Sequence, residues 1–117
     1  MEFDKLNLIN TYLKDQLWMD FQLCNMNCGK IEMYGYIDEA GDDRIKITFD
    51  KPYMVLSTLM FTYEGKGDFI VSVTGNEATE LNKKYNVIQG NRIYKINNTN
   101  INSPMYIIAQ GIDVTIM

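Results

Sequence analysis

The sequence contains no histidine. That removes the commonest general base and the imidazole on which most serine and cysteine nucleophiles depend. Ser57, Ser72 and Ser103 lie in ordinary strand or turn contexts, and none occupies a Gly-x-Ser-x-Gly elbow. Only two cysteines are present, Cys24 and Cys28. Without histidine to complete a tetrahedral donor set they do not read as a zinc site. Their Cys-x-x-x-Cys spacing also departs from the usual redox motif. They are expected to be reduced thiols in a cytoplasmic protein.

Basic residues are scattered singly apart from Lys83-Lys84, and the formal net charge is −4. A phosphate backbone requires a basic stripe, so nucleic acid and anionic membranes are not expected partners, whereas a basic protein surface is electrostatically favoured. No apolar run approaches the roughly 18 residues of a membrane helix. The opening Met1-Glu2-Phe3-Asp4-Lys5 lacks the basic-then-apolar pattern of a secretory signal. Glu2 stands where myristoylation requires glycine. Alanine is limited to Ala40, Ala78 and Ala109, and proline to Pro52 and Pro104. Scarcity of the best helix former, beside abundant Ile, Val, Tyr and Phe, tilts the composition toward sheet.

What remains is ordinary globular chemistry: 46% hydrophobic and 22% charged residues over 117 positions. A chain of this size buries about two-thirds of its unfolded surface. That suffices for one core and not for two, so residues 1–117 are expected to form a single domain. Leu6, Ile9, Leu13 and Leu17 recur at helical spacing and predict a helix over 4–20, with Asp4 as a cap. Leu17, Met19, Phe21 and Leu23 also alternate with Gln16, Trp18, Asp20 and Gln22. A strand over 16–24 is the competing reading, with the change of period between Leu13 and Leu17.

Strands are predicted at 30–37 and 44–49 as a hairpin around the acidic turn 38–43. A long strand follows at 53–63 beyond the Asp50-Lys51-Pro52 break, turning at 64–68 into 69–73. Residues 77–84 suggest a short helical turn. Strands at 85–89 and 92–96 flank Gly90-Asn91, and strands at 105–109 and 112–116 flank Gln110-Gly111. The fold class is therefore mainly β with an N-terminal helix (α+β), built on an antiparallel sheet, curved sheet or sandwich.

Asp38, Glu39, Asp42 and Asp43 offer oxygen ligands, but their spacing does not match the calcium loop with its distal glutamate. A solvated hairpin tip, or an acidic knob for a basic protein, accounts for them. Gly65-Lys66-Gly67 is too short for a phosphate loop. Glu32, Asp50 and Glu64 could form a carboxylate pair only if the fold brings their oxygens together. No metal or cofactor is expected.

Tyr34 and Tyr36 share one strand face, and tyrosine and tryptophan are enriched at binding hot spots. The leading expectation is a non-catalytic protein-interaction module, such as a small acidic inhibitor, immunity protein or adaptor. Its binding residues would be Trp18, Tyr34, Tyr36, Asp42 and Asp43. Two alternatives stand beside it. One is a small-molecule-binding protein with a pocket between helix and sheet walled by Trp18, Tyr34, Tyr36 and Tyr63. The other is a carboxylate-dependent hydrolase that works without histidine.

Overall fold

The computed structural model describes residues 2–37 and 42–117. The chain forms α1 (Glu2–Lys14), β1 (Met19–Cys24), β2 (Lys30–Tyr36), β3 (Asp43–Leu56), β4 (Met60–Tyr63), β5 (Ile70–Ser72), α2 (Gly75–Tyr85), β6 (Arg92–Ile96) and β7 (Met105–Ile116). Among the described residues seven strands join one sheet in the order β4-β1-β2-β3-β7-β6-β5, and the pairings are antiparallel. The sheet is curved like half a barrel, with α1 against its inner side. The expected acidic turn at 38–43 lies outside the described residues except for Asp42 and Asp43.

Period decides the first two elements. Leu6, Ile9 and Leu13 are buried along one side of α1, whereas Leu17 is 88% exposed and belongs to the connection. Strand alternation then takes over, and Met19, Phe21 and Leu23 face the core. The helix is thus shorter than 4–20, and the competing strand reading holds from Met19 onward.

Two sequence breaks turn out to be one structural feature. Pro52 does not end a strand, because β3 runs through it with a shift of register between Pro52 and Met54. Lys51 adopts a left-handed backbone with φ 47°. A bulge tolerates the missing proline N–H and bends the strand. Directly across the ladder, Asp50 pairs with Gly111 and Pro52 with Ala109. Gln110-Gly111 is therefore the middle of a continuous β7 and not a hairpin turn.

Before the bend, Ile45, Ile47, Phe49 and Ile112 fill the inner core; beyond it Ile107 and Met105 continue it. Ile93, Tyr106 and Ile108 turn outward, where Met54, Leu56, Ala78 and Leu81 pack on them. The alternating residues beyond the bend thus supply apolar surface to both sides of the sheet.

The stretch 53–63 divides at Ser57–Leu59. There Ser57 Oγ donates to the Thr58 carbonyl at 2.8 Å, and Thr58 Oγ1 donates to the Met60 carbonyl at 2.9 Å. Such local bonds compete with ladder formation. Residues 85–89 also depart from the expected strand. They hold the end of α2 and its exit, with Asn86 left-handed at φ 51° and its N–H bonded to the Asn82 carbonyl.

Both sheet edges are covered. On β5, Asn10 of α1 accepts the N–H of Phe69 at 2.7 Å and that of Ile70 at 3.2 Å, and donates to the Ile70 carbonyl at 2.9 Å. On β4, the segment after β6 supplies Asn100, whose N–H donates to the Thr62 carbonyl at 3.0 Å while its Oδ1 accepts the Thr62 N–H at 2.8 Å. The Glu64 N–H reaches the Asn98 carbonyl at 2.8 Å. Inside, Phe21, Phe61, Phe69 and Tyr63 form a ring cluster with Phe21–Phe69 centroids 4.4 Å apart.

Gly35 makes room for this cluster. A Cβ there would lie 2.8 Å from Phe21 Cε1 and 2.7 Å from both Met19 Sδ and Ile45 Cγ2. Gly35→Ala is therefore expected to cost about 2 kcal/mol through overpacking. Urea unfolding checks this as a lower midpoint at unchanged slope.

Candidate functional site

The outward sides of β4, β1, β2 and the first half of β3 form a polar and aromatic face. Strand register sets its rows. Thr62, Asp20 and Tyr36 lie abreast, then Met60, Gln22, Tyr34 and Lys46, then Cys24, Glu32 and Thr48. Tyr34 and Tyr36 are half-buried, and Met60 is exposed. Asp43 is the partner of Tyr36 across β2–β3, and Asp42 beside it is exposed. Trp18 is 46% exposed immediately before β1, two positions from Asp20, which pairs with Tyr36. The register thus brings Tyr34, Tyr36 and Asp43 together, with Asp42 and Trp18 adjoining in sequence.

The group that organises this face is one of the three carboxylates considered for a hydrolytic pair. Glu32 is only 8% exposed. Its Oε1 accepts a bond from Asn25 Nδ2 at 2.6 Å, and its Oε2 accepts the Tyr34 hydroxyl at 3.2 Å with Lys46 Nζ at 3.7 Å. The Asn25 bond above all, then the Tyr34 bond and the Lys30 and Lys46 charges, hold its carboxyl below the usual range against the opposing effect of burial. Burial first, then the bond to Glu32, pushes the Tyr34 phenol up. Burial and the charges of Glu32 and Asp43 also push the Cys24 thiol up, which keeps it protonated and opposes nucleophilic use. Cys24 and Cys28 are both free thiols. Spacing of two along β2 was the available signal linking Glu32 to Tyr34.

A second polar cluster fastens α2 to the sheet. Glu77 Oε2 accepts the Tyr106 hydroxyl at 2.6 Å and Lys95 Nζ at 2.9 Å. The Tyr106 bond, then the Lys95 bond and charge, lower the Glu77 pKa. Burial and then Glu77 raise that of Tyr106 to about 12. At the other end of α2, the Tyr53 hydroxyl donates to the carbonyls of Tyr85 at 3.3 Å and Asn86 at 2.9 Å.

Between α1 and the β4–β5 loop lies a hollow of about 280 Å³ lined by Asn10, Lys14, Tyr63, Gly65, Gly67 and Asp68. Of the four aromatic walls expected for a helix–sheet pocket, Tyr63 lines it; Tyr36 lines a separate outer depression with Asp20 and Met60. The carboxylates considered for hydrolysis have different surroundings: Glu32 has the network above, and Glu64 faces Lys66 at 3.9 Å. Among the described residues no three His, Cys, Asp or Glu side chains are grouped to hold a metal ion. No helix among them is long and apolar enough to cross a membrane.

The α2 fastening has a pH signature. A lowered carboxylate pKa contributes stability above the ordinary glutamate range that is lost on acidification through the folded value. A raised phenol pKa contributes stability below about pH 10 that is lost as pH climbs toward about 12. Tyr106→Phe is expected to cost about 1 kcal/mol at neutral pH and to flatten the alkaline loss. Chemical unfolding of both proteins from neutral to alkaline pH checks this.

Compared with models of protein families, with curated proteins and with solved structures, the chain matches none.

Proposed function

We propose that the chain is a non-catalytic protein-binding domain, of the type represented by small acidic inhibitors, immunity proteins and adaptors. Its partner sits on the outer face of β1 and β2, with the rings of Trp18, Tyr34 and Tyr36 as anchors and Asp42 and Asp43 as an acidic rim for a basic surface. In this reading residues 1–117 act as one cytoplasmic domain, and neither nucleic acid nor a membrane surface is the target.

One observation carries the reading. Among the described residues no helix covers the face that bears Tyr34 and Tyr36, whereas both helices pack elsewhere on the sheet. The apolar side of α1 packs into the inner core, and α2 packs beyond the bend around Ile93, Tyr106 and Ile108. Both edges are engaged, β5 by Asn10 and β4 by Asn98 and Asn100, which disfavours capture of a partner by strand addition. The open face pairs aromatic rings with polar groups, the mixture typical of non-obligate interfaces. Glu32 fixes the Tyr34 hydroxyl before binding, and a side chain ordered in advance loses less entropy on association.

The test is capture from native lysate followed by mass measurement of the complex and reconstitution with the purified partner. Tyr34→Ala and Tyr36→Ala are each expected to weaken binding about tenfold or more. Replacing both aspartates, Asp42→Lys with Asp43→Lys, is expected to slow association and reduce its dependence on salt. Undiminished binding by these variants, with folding intact, rejects the face.

A further inference from the structure

The mounting of α2 points to a second binding site, separate from the proposed partner face. This eleven-residue helix has no buried residue. It is held near its start by Glu77 on Lys95 and Tyr106, and at its end by Tyr53 on the carbonyls of Tyr85 and Asn86. Beside these fastenings a groove opens at the surface. Leu56, Leu81, Lys84, Tyr85, Pro104 and Tyr106 line this groove of about 490 Å³. That volume falls within the range of small-molecule sites, roughly 300–1,000 Å³, whose walls are mostly apolar with a few oriented polar groups.

We propose that this groove binds a small amphiphilic anion: a compact or short-chain apolar body carrying one carboxylate. The walls set the apolar part through Leu56, Leu81, Pro104 and the faces of Tyr85 and Tyr106. Charge sets the remainder. Among the described residues Lys84 is the one ionic side chain on the lining, and its ammonium lies 5.3 Å from the centre of the Tyr85 ring. The nearby carboxylate of Glu77 is already engaged by Lys95 and Tyr106. Glu80, one helical turn before Lys84, forms no ion pair with it, and among the described residues no carboxylate does. A carboxylate seated at the lip would meet a cation with no carboxylate partner among the described residues, while its apolar body would lie along Leu56, Leu81, Pro104 and Tyr106. The polar fastenings at both ends, with Ala78 and Leu81 packed on the sheet, hold α2 beside the groove.

Octanoate, 1-octanol and octylammonium are the probes, titrated below their aggregation limits into isotope-labelled protein and followed by amide NMR. Octanoate is expected to bind saturably, with shifts centred on Leu81, Lys84, Tyr85 and Tyr106. It should bind about fivefold more tightly than octanol, the scale of one partly exposed charge pair, and octylammonium should bind weakest. Lys84→Gln, a change at an exposed position, is expected to bring octanoate to the level of octanol while leaving octanol unchanged. Lys84→Glu should reverse the order of octanoate and octylammonium. The proposal is overturned by non-saturating shifts, by shifts centred on Tyr34 and Tyr36, by equal binding of octanoate and octanol, or by indifference to Lys84→Gln. Concentration-dependent shifts at the groove without any probe would assign it to self-association and overturn the proposal equally. Loss of probe binding at the groove leaves the partner face untested and intact, because its variants lie on the other part of the sheet.

Discussion

The bend shared by β3 and β7 sets the geometry of the whole molecule. These are the two longest strands, of 14 and 12 residues, and their ladder runs from Ile45↔Ile116 to Leu56↔Tyr106. Uninterrupted, such a ladder would place the same alternate residues on one side throughout. Instead the register shift between Pro52 and Met54 bends one strand at the place where its partner carries Gly111 and Ala109. A bulge sharpens the local right-handed twist and redirects the strand. The inner side can then wrap the buried stripe of α1, while Tyr106, Ile108 and Met54 are presented outward for α2. One irregularity accounts for two apolar surfaces on a single sheet.

Closure of the sheet depends on side-chain amides where a longer sheet would use another strand. Asn10 offers an acceptor and a donor to β5 in the positions a neighbouring peptide would occupy, and Asn100 does the same for Thr62 through both backbone and side chain. The asparagine-rich segment 97–102 looks like a simple polar connection in the sequence. In the fold it lies along β4, with Tyr63 and Thr99 forming an isolated bridge. The aromatic cluster of Phe21, Phe61, Phe69 and Tyr63 sits beneath this closure and joins elements from opposite ends of the strand order.

Local pattern made much of this legible. Alternation identified the 30–37 and 44–49 hairpin, and three-to-four spacing identified Leu6, Ile9 and Leu13. The same period of two placed Tyr34 and Tyr36 on one side of β2. The failures concern features that only a partner strand can define. Pro52 and Gln110-Gly111 each resemble a stop when read alone, yet they lie opposite one another in a continuous ladder. Residues 53–63 have uniform strand propensity, and the division at Ser57–Leu59 comes from hydroxyl bonds that propensity does not encode. Glu32 was visible as a carboxylate but its network was not, and Glu77 went unremarked, because their partners come from different elements: Asn25 and Lys46 for the first, Lys95 and Tyr106 for the second. The apolar side of α2 is short, so the helical turn read at 77–84 understated a helix that spans Gly75–Tyr85.

The place of β7 in the strand order also governs how the chain assembles during translation. The sheet order puts this strand between β3 and β6, so it joins a four-stranded group made earlier to the two strands β6 and β5. Before β7 leaves the ribosome, β3 has one hydrogen-bonding side without its native neighbour. α1, although synthesised first, must wait for Ile70 sixty residues later to complete the bonds of Asn10. Hairpins within the β1–β3 segment can pair as they emerge, but the tertiary structure is completed only after β7 is available. The nascent chain therefore carries an open sheet edge until β7 emerges, the interval in which unpaired strands are vulnerable to wrong partners.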